Sequence, residues 1–259
     1  MRITTWNVNG LRAAIRKGFA EHIAEIQPDV LLLQEVRALP EQLPEQWQQP
    51  HGWHVAWHPA DRRGYSGTAI WSRFPINDLR YGHQNAGRES DIEGRLITVS
   101  INGLSVSCVY LPSGSSGEHR QAVKEQWMRK FRRWAGCQGR SGPTIFGGDL
   151  NIAHTEQDIF YARANEKTSG FLPHERRWFS RLLDSGWHDL AREHFGEMQG
   201  PYSWWSNRGR ARELDRGWRI DYLLANADAR SLLRSATIHR EAGQTVSDHA
   251  PVSVDLHWP

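Results

Sequence analysis

Cysteine is nearly absent. The 259 residues hold two, Cys108 and Cys137, in neither a CxxC pair nor a disulfide framework. A disulfide-stapled fold and a cysteine-held structural zinc are therefore excluded, and both thiols are expected to be reduced, Cys108 inside an alternating strand pattern. Long apolar runs are missing as well: no stretch approaches the roughly 20 residues a membrane helix needs. Met1-Arg2-Ile3-Thr4 leads directly into a strand pattern without a signal-peptide apolar region, so a soluble cytoplasmic protein is expected, with no membrane partner. Charge of one sign is lacking too, since 32 Lys and Arg against 29 Asp and Glu leave a net charge of +3. A polyanionic partner is permitted by that balance but not demanded. There is no exact repeat, and the Ser/Gly stretch at 112–117 is short and followed by a helix pattern, so residues 1–259 read as a single domain.

What is present is a set of apolar runs that end in polar chemistry. In residues 144–154 a short apolar run meets Gly147 and Gly148, then delivers Asp149 and Asn151. Paired glycines free the backbone to turn and hold the next side chains at the strand's carboxyl end. Four other places repeat the pattern: Asn7 and Asn9 after 4–6, Glu35 after 31–33, Asp221 within 218–222, and Asp248-His249 before a closing strand at 252–256.

Strands are expected over 3–8, 30–33, 53–57, 68–71, 95–101, 104–110, 202–205, 219–224 and 252–256, with a hairpin at Asn102-Gly103. Helices are expected over 19–26, over 118–135 and from 170 toward a stop at Gly186 with Pro173 in the first turn. In the second of these, Val123, Trp127, Phe131 and Trp134 recur at helical spacing, with Lys124 among the charges of a solvated face. Residues 40–50, rich in Pro and Gln, read as a surface excursion. Hairpins mixed with crossovers imply an α/β fold of two mixed β-sheets packed face to face with helices outside.

Carboxylates Glu35, Asp149, Asp221 and Asp248, with Asn7, Asn9, Asn151 and His249 in the same strand-end position, form a hard oxygen-rich donor set. Such a set suits Mg²⁺, or Mn²⁺ in its place, and a phosphate ester substrate. Acid, metal and an acid-held imidazole supply the needs of phosphodiester hydrolysis: an activated water, neutralised phosphoryl oxygens and a stabilised leaving group. Trp204, Trp205 and Trp218 flank a loop carrying Arg208, Arg210, Arg212 and Arg216, the mixture expected where sugars or bases stack and cations meet phosphates, although Trp205 also suits the core.

These residues resemble the exonuclease III-type apurinic/apyrimidinic (AP) endonucleases of the endonuclease/exonuclease/phosphatase superfamily. The likeness runs through Trp6-Asn7-Val8-Asn9-Gly10-Leu11-Arg12, Leu33-Gln34-Glu35-Val36, Gly64-Tyr65-Ser66-Gly67, Tyr110-Leu111-Pro112-Ser113, Gly148-Asp149-Leu150-Asn151, Trp218-Arg219-Ile220-Asp221-Tyr222 and Ser247-Asp248-His249. It implies a four-layer α/β sandwich and a monomer that cuts 5′ to abasic sites in double-stranded DNA, with 3′-exonuclease and 3′-phosphatase activity on blocked ends. It further implies that Glu35 holds the metal with Asn7, Asp149, Asn151 and Asp248 around it, and that Asp149 activates the water. Asn7 and Asn151 would orient the reacting groups, while His249, set by Asp221, and Tyr110 would bind the scissile phosphate. Trp204, Trp218 and Ile220 match the pocket for a flipped abasic sugar; Tyr65, Arg12, Lys17 and Asn165 match DNA-backbone contacts, and Arg208 a DNA-penetrating wedge. Asn9 stands where some relatives carry an acidic ligand, and Thr168 in a loop that varies between endonucleases and exonuclease-biased members. Two other readings stay open at this point: a relative acting on small phosphate esters such as inositol or lipid phosphates, and a nucleic-acid binder that has lost catalysis.

Overall fold

The computed structural model describes residues 1–83, 87–139 and 142–258. Twelve strands are seen among them: β1 (Arg2–Asn7), β2 (Val30–Gln34), β3 (His54–His58), β4 (Thr68–Ser72), β5 (Asn77–Tyr81), β6 (Leu96–Ile101), β7 (Leu104–Tyr110), β8 (Thr144–Asp149), β9 (His188–Asp189), β10 (Asp221–Ala225), β11 (Leu233–Ile238) and β12 (Val252–Leu256). They form two six-stranded sheets, ordered β11-β12-β1-β2-β4-β3 and β5-β6-β7-β8-β10-β9. Each sheet is mixed: β1 runs parallel to β2 and β7 parallel to β8, and the remaining pairs are antiparallel.

Alternation along the strands sorts the core into layers. Ile3, Val30, Leu32 and Ile70 of the first sheet meet Ile97, Val106, Cys108, Ile145 and Leu223 of the second in one buried cluster. The intervening residues Trp6, Leu31, Leu33 and Trp71 face outward, where Phe19 and Ile23 of the helix Phe19–Ile26 cover them. On the far side Val109, Phe146, Tyr222 and Leu224 lie under Phe131 and Trp134 of the helix Glu118–Gln138 and Trp178, Phe179 and Leu182 of the helix Pro173–Leu183. This is the expected four-layer α/β sandwich. Among the described residues no helix is long and apolar enough to cross a membrane.

Two local expectations are corrected, and two edge strands are added. Residues 202–205 do not form a strand: Trp204 makes isolated bridges to Trp218 and His249, and at Trp205 the chain turns to bond Asp248, so no ladder extends. Lys124 is not on the solvated face of its helix but buried against Glu175, and Val123 and Trp127 are only half-buried while Met128 takes the core position. The edge strands β5 and β11 are not signalled in the sequence, because both are only partly buried and mix polar with apolar residues without regular alternation.

Gly148 sits mid-sheet with φ 153°, and a Cβ there would lie 1.7 Å from the Val109 carbonyl oxygen. All three nearest atoms are Val109 main chain, held in the sheet, so they cannot give way. Gly148→Ala should therefore cost about 4 kcal/mol or more, lowering Tm by roughly 10 °C in a chain of this size. A thermal melt of the variant checks it.

Candidate active site

Strand register assembles the site. Asp149 ends β8, and its partners in register are Tyr110 at the end of β7 and Asp221 at the start of antiparallel β10, so three functional side chains stand in a row across one sheet. The other sheet brings Asn7 at the end of β1, Glu35 one residue past β2, and Asp248-His249 just before β12. The parallel strands β1, β2, β7 and β8 thus deliver their carboxyl ends to one place, where open α/β sheets commonly bind ligands. Asn9, Glu35 and Asn151 all hold left-handed backbone, with φ of 48°, 51° and 50°. For glutamate this conformation is strained, a cost typical of functional sites.

The hydrogen bonds divide the labour. Asn7 Nδ2 donates to Glu35 Oε1 and to Asp149 Oδ2, both at 2.9 Å, while its Oδ1 accepts from the Asn9 amide, so the Asn7 nitrogen and not its oxygen faces the carboxylates. Asn151 holds Asp149 through its backbone N–H (2.8 Å) and Nδ2 (3.2 Å). Tyr110 donates its hydroxyl to Glu35 Oε1 at 2.7 Å, and Arg37 pairs with the other Glu35 oxygen. His249 Nδ1 donates to Asp221 Oδ2 at 2.9 Å, fixing the ring so that Nε2 points toward Asp149 Oδ2 at 3.9 Å. Ser203 Oγ donates to Asp221 Oδ2 at 2.6 Å, and Asp248 accepts from Asn9 Nδ2 and Trp204 Nε1.

Electrostatics follow from burial. Asp149 is pushed up to about 7 by desolvation, with Asp221 and Glu35 adding to the effect and His249 opposing it. For His249 desolvation works against the charge, but Asp221 overrides it and, with Asp149 and Asp248, lifts the imidazole to about 10. Burial and the nearby Glu35 hold the Tyr110 hydroxyl well above its ordinary value, so it remains a neutral donor. Burial would raise Asp248 too, yet His249 and the bonds from Trp204 and Asn9 bring it below the usual range.

These groups share a cleft of about 280 Å³, lined by Asn9, Glu35, Arg37, Tyr110, Asp149, Asn151, Thr168, Gly170, Trp204, Trp218, Ile220, Asp248 and His249 among others. Asn7 and Asp221 are buried behind it. The Trp204 and Trp218 rings meet edge-on, with centroids 6.0 Å apart at 85°, and form an aromatic wall with Ile220. Five expected substrate residues are not in the cleft. Arg12, Lys17 and Arg208 are exposed; Tyr65 turns its hydroxyl to Arg95, Arg120 and Glu93; and Asn165 donates to the Tyr161 carbonyl. A larger hollow of about 630 Å³ elsewhere, lined by Asp78, Arg80, Ser100 and Cys137, offers a single carboxylate.

Ligand-type atoms of Asp149, Asp221 and His249 lie within 4.8 Å of one another and could hold a metal ion. Asp221 already serves His249 and Ser203 and does not line the cleft, so the carboxylates that do are Glu35, Asp149 and Asp248, with Asn151 beside them. Oxygen donors of this kind fit a hard divalent cation. Ser203, Arg37 and Arg95 were not anticipated; Arg95 is buried with its guanidinium 4.6 Å over the Tyr110 ring and donates to the Tyr110 carbonyl. Position two residues after a strand-end acid was the one sequence signal for Arg37.

Fold and cluster together define a hydrolytic enzyme with one acid–imidazole centre at the sheet ends. Residues 4–249 match the model of the Endonuclease/Exonuclease/phosphatase family. The chain is 36% identical over 258 residues to an exodeoxyribonuclease of Bacillus subtilis, covering 99% of this chain and 100% of that protein. It is 32% identical over 256 residues to a DNA-(apurinic or apyrimidinic site) endonuclease of Dictyostelium discoideum, covering 98% and 70%. A solved structure of a 3′ phosphatase from Neisseria bound to product DNA hairpin is similar with a TM-score of 0.90 and 30% identity over 100% of both chains. The chain belongs to the endonuclease/exonuclease/phosphatase family, as a nuclease of the exodeoxyribonuclease and AP endonuclease type.

Proposed function

We propose that this protein, acting as one catalytic domain and as a monomer in the cytoplasm, hydrolyses the phosphodiester 5′ to abasic sites in double-stranded DNA, and also removes nucleotides and blocking phosphates from 3′ ends. The observation that carries this reading is the single cleft in which Asp149, Asn151, Glu35 and His249 face an aromatic wall of Trp204 and Trp218. Its relatives bear the names of an exodeoxyribonuclease, an AP endonuclease and a DNA-bound 3′ phosphatase.

Mg²⁺, with Mn²⁺ able to substitute, would be held by Glu35, Asp149 and Asn151, with Asp248 on the cleft wall and Asn7 behind it in support. When bound it supplies charge neutralisation at the phosphoryl oxygens. Asp149, raised toward neutrality, takes a proton from water, and a base with that affinity is well matched to neutral pH. Asn7 and Asn151 hold the carboxylate in line. His249, kept cationic by Asp221, donates from Nε2 to a phosphoryl oxygen, and the Tyr110 hydroxyl donates beside it. A sugar without its base would lie against the wall that Trp204, Trp218 and Ile220 form. Tyr65, Arg12, Lys17 and Asn165 would meet the DNA backbone, and Arg208 would wedge into the duplex. Thr168, on the cleft wall, would bias the balance of endonuclease and exonuclease rates.

End-labelled duplexes with and without an abasic analogue, resolved on a denaturing gel in Mg²⁺, Mn²⁺ and chelator, test the reading. A single nick at the analogue, abolished by chelation and restored by Mg²⁺, is expected. Turnover of inositol or lipid phosphates with the duplex intact, or tight binding to the abasic duplex without cleavage in Mg²⁺, would overturn it.

A further inference from the structure

Another buried charge pair stands next to the residues of the cleft. The side chains of Lys124 and Glu175 are 1% and 0% exposed, and Lys124 Nζ lies 2.6 Å from Glu175 Oε1. Lys124 Nζ also donates to the backbone carbonyl of Asn151 at 2.9 Å. Glu175 Oε2 accepts from the backbone N–H of Gly170 at 2.6 Å and of Leu172 at 3.1 Å. Gln121 completes the cluster, donating to Glu175 Oε1 and accepting from Ser169 Oγ. Two helices remote in sequence thus grip two short segments of main chain that end in the cleft.

Both segments lie outside the helices and strands. Asn151 holds left-handed backbone, and its carbonyl has no other partner among the described residues. Gly170 (φ 97°) presses against both sides of the site: a Cβ there would lie 3.0 Å from the Trp218 ring and 3.1 Å from the Asn151 carbonyl oxygen. A small movement of Gly170 or Asn151 is therefore passed to the Asp149 turn and to the aromatic wall together. A buried ion pair is a poor way to gain stability, since well-packed apolar residues do as well or better. Its use here is explained by what the two charged ends hold.

We infer that Lys124 and Glu175 are positioning residues for the reaction, setting the Asp149–Asn151 turn and the Gly170 wall through their main chains. The inference rests on the proposed function, because Asn151 is taken to align Asp149 for attack. Neither side chain lines the cleft, and both act through the residues they hold.

The test is Lys124→Met combined with Glu175→Gln, which removes both charges and leaves no lone buried ion. Single-turnover cleavage of an abasic duplex should slow about 10- to 100-fold, as expected for a displaced catalytic group. The duplex Kd, measured in Ca²⁺, should stay within about 3-fold, because the DNA-contacting surface is untouched. In an Asn151→Ala background the same pair of changes should cost less than in the wild type, since one of the groups they align is gone. A milder variant, Gln121→Leu, releases Ser169 and one Glu175 contact without touching a charge and should slow the rate about 3- to 10-fold. A folded double variant cutting at the wild-type rate, an undiminished loss in the Asn151→Ala background, or a Gln121→Leu protein as fast as wild type would each overturn the inference. Wild-type protein that leaves the abasic duplex uncut would instead sink the proposed function itself, so the two failures are distinguishable.

Discussion

Asp149→Asn should lower kcat on an abasic duplex by about three to four orders of magnitude, within the range for loss of a general base, while Tm stays level or rises. The carboxylate is 1% exposed and receives three donors, the Asn151 N–H, Asn151 Nδ2 and Asn7 Nδ2. Even with those bonds, burial and the neighbouring Asp221 and Glu35 push it up to about 7. An acid whose folded value exceeds its unfolded 3.8 binds more protons in the folded state, so its ionisation draws down stability as pH rises through that window. Neutral asparagine removes that repulsion. Against this it places an amide N–H opposite an N–H it cannot bond, and it takes one negative charge from beside His249. These effects oppose each other, which is why stability should hold while catalysis collapses. Single-turnover kinetics and a melt of the same preparation decide the matter. Activity within tenfold of wild type would remove Asp149 from the proton transfer, and a collapse in Tm would make its role structural.

What could be read from the sequence was whatever a short segment specifies by itself. The helix Phe19–Ile26 and the strand β12 have the expected bounds, because apolar spacing and Pro28 mark the first and a clean alternation the second. Asp149, Glu35 and His249 stood out because each follows or precedes a strand whose pattern is local. What a strand-end residue faces is not local. The register of β10 against β8 puts Asp221 opposite Asp149, and nothing in either segment encodes that pairing. Lys124 shows the same limit from the other side. A lysine on an amphipathic helix is normally a surface charge, and its partner Glu175 lies 51 residues away on another helix. Ser203 and Arg95 escaped notice for the same reason, since their partners Asp221 and Tyr110 are brought to them only by the finished sheets.

Asp221→Asn should cost about 10²- to 10³-fold in kcat, the usual loss when one charge-stabilising donor is disabled, and its pH dependence should identify the cause. Ser203 Oγ accepts from the backbone N–H groups of Ile220 and Asp221 at 3.1 Å each, so its own proton must go to the side chain at position 221. In the variant that proton pins the amide oxygen in the place of Oδ2, where it can still accept from His249 Nδ1, and the neutral NH₂ takes the place of Oδ1. The imidazolium thereby loses the negative charge that opposes its desolvation, so the ring faces the phosphate neutral instead of cationic. In the wild type, burial opposes the imidazolium but Asp221 outweighs it and carries the value to about 10, so activity should persist well into alkaline pH. In the variant the alkaline limb should move toward acid, with activity partly recovered below the unfolded imidazole value of about 6.5. Stability should follow the same group. A raised imidazole contributes stability in full below pH 6.5 and loses it as pH climbs toward about 10. The Tm gap between wild type and variant should accordingly be widest in mild acid and close on the alkaline side. Superimposable pH–rate profiles for the two proteins would show that His249 does not act as a cation and that Asp221 does no more than hold the ring in place.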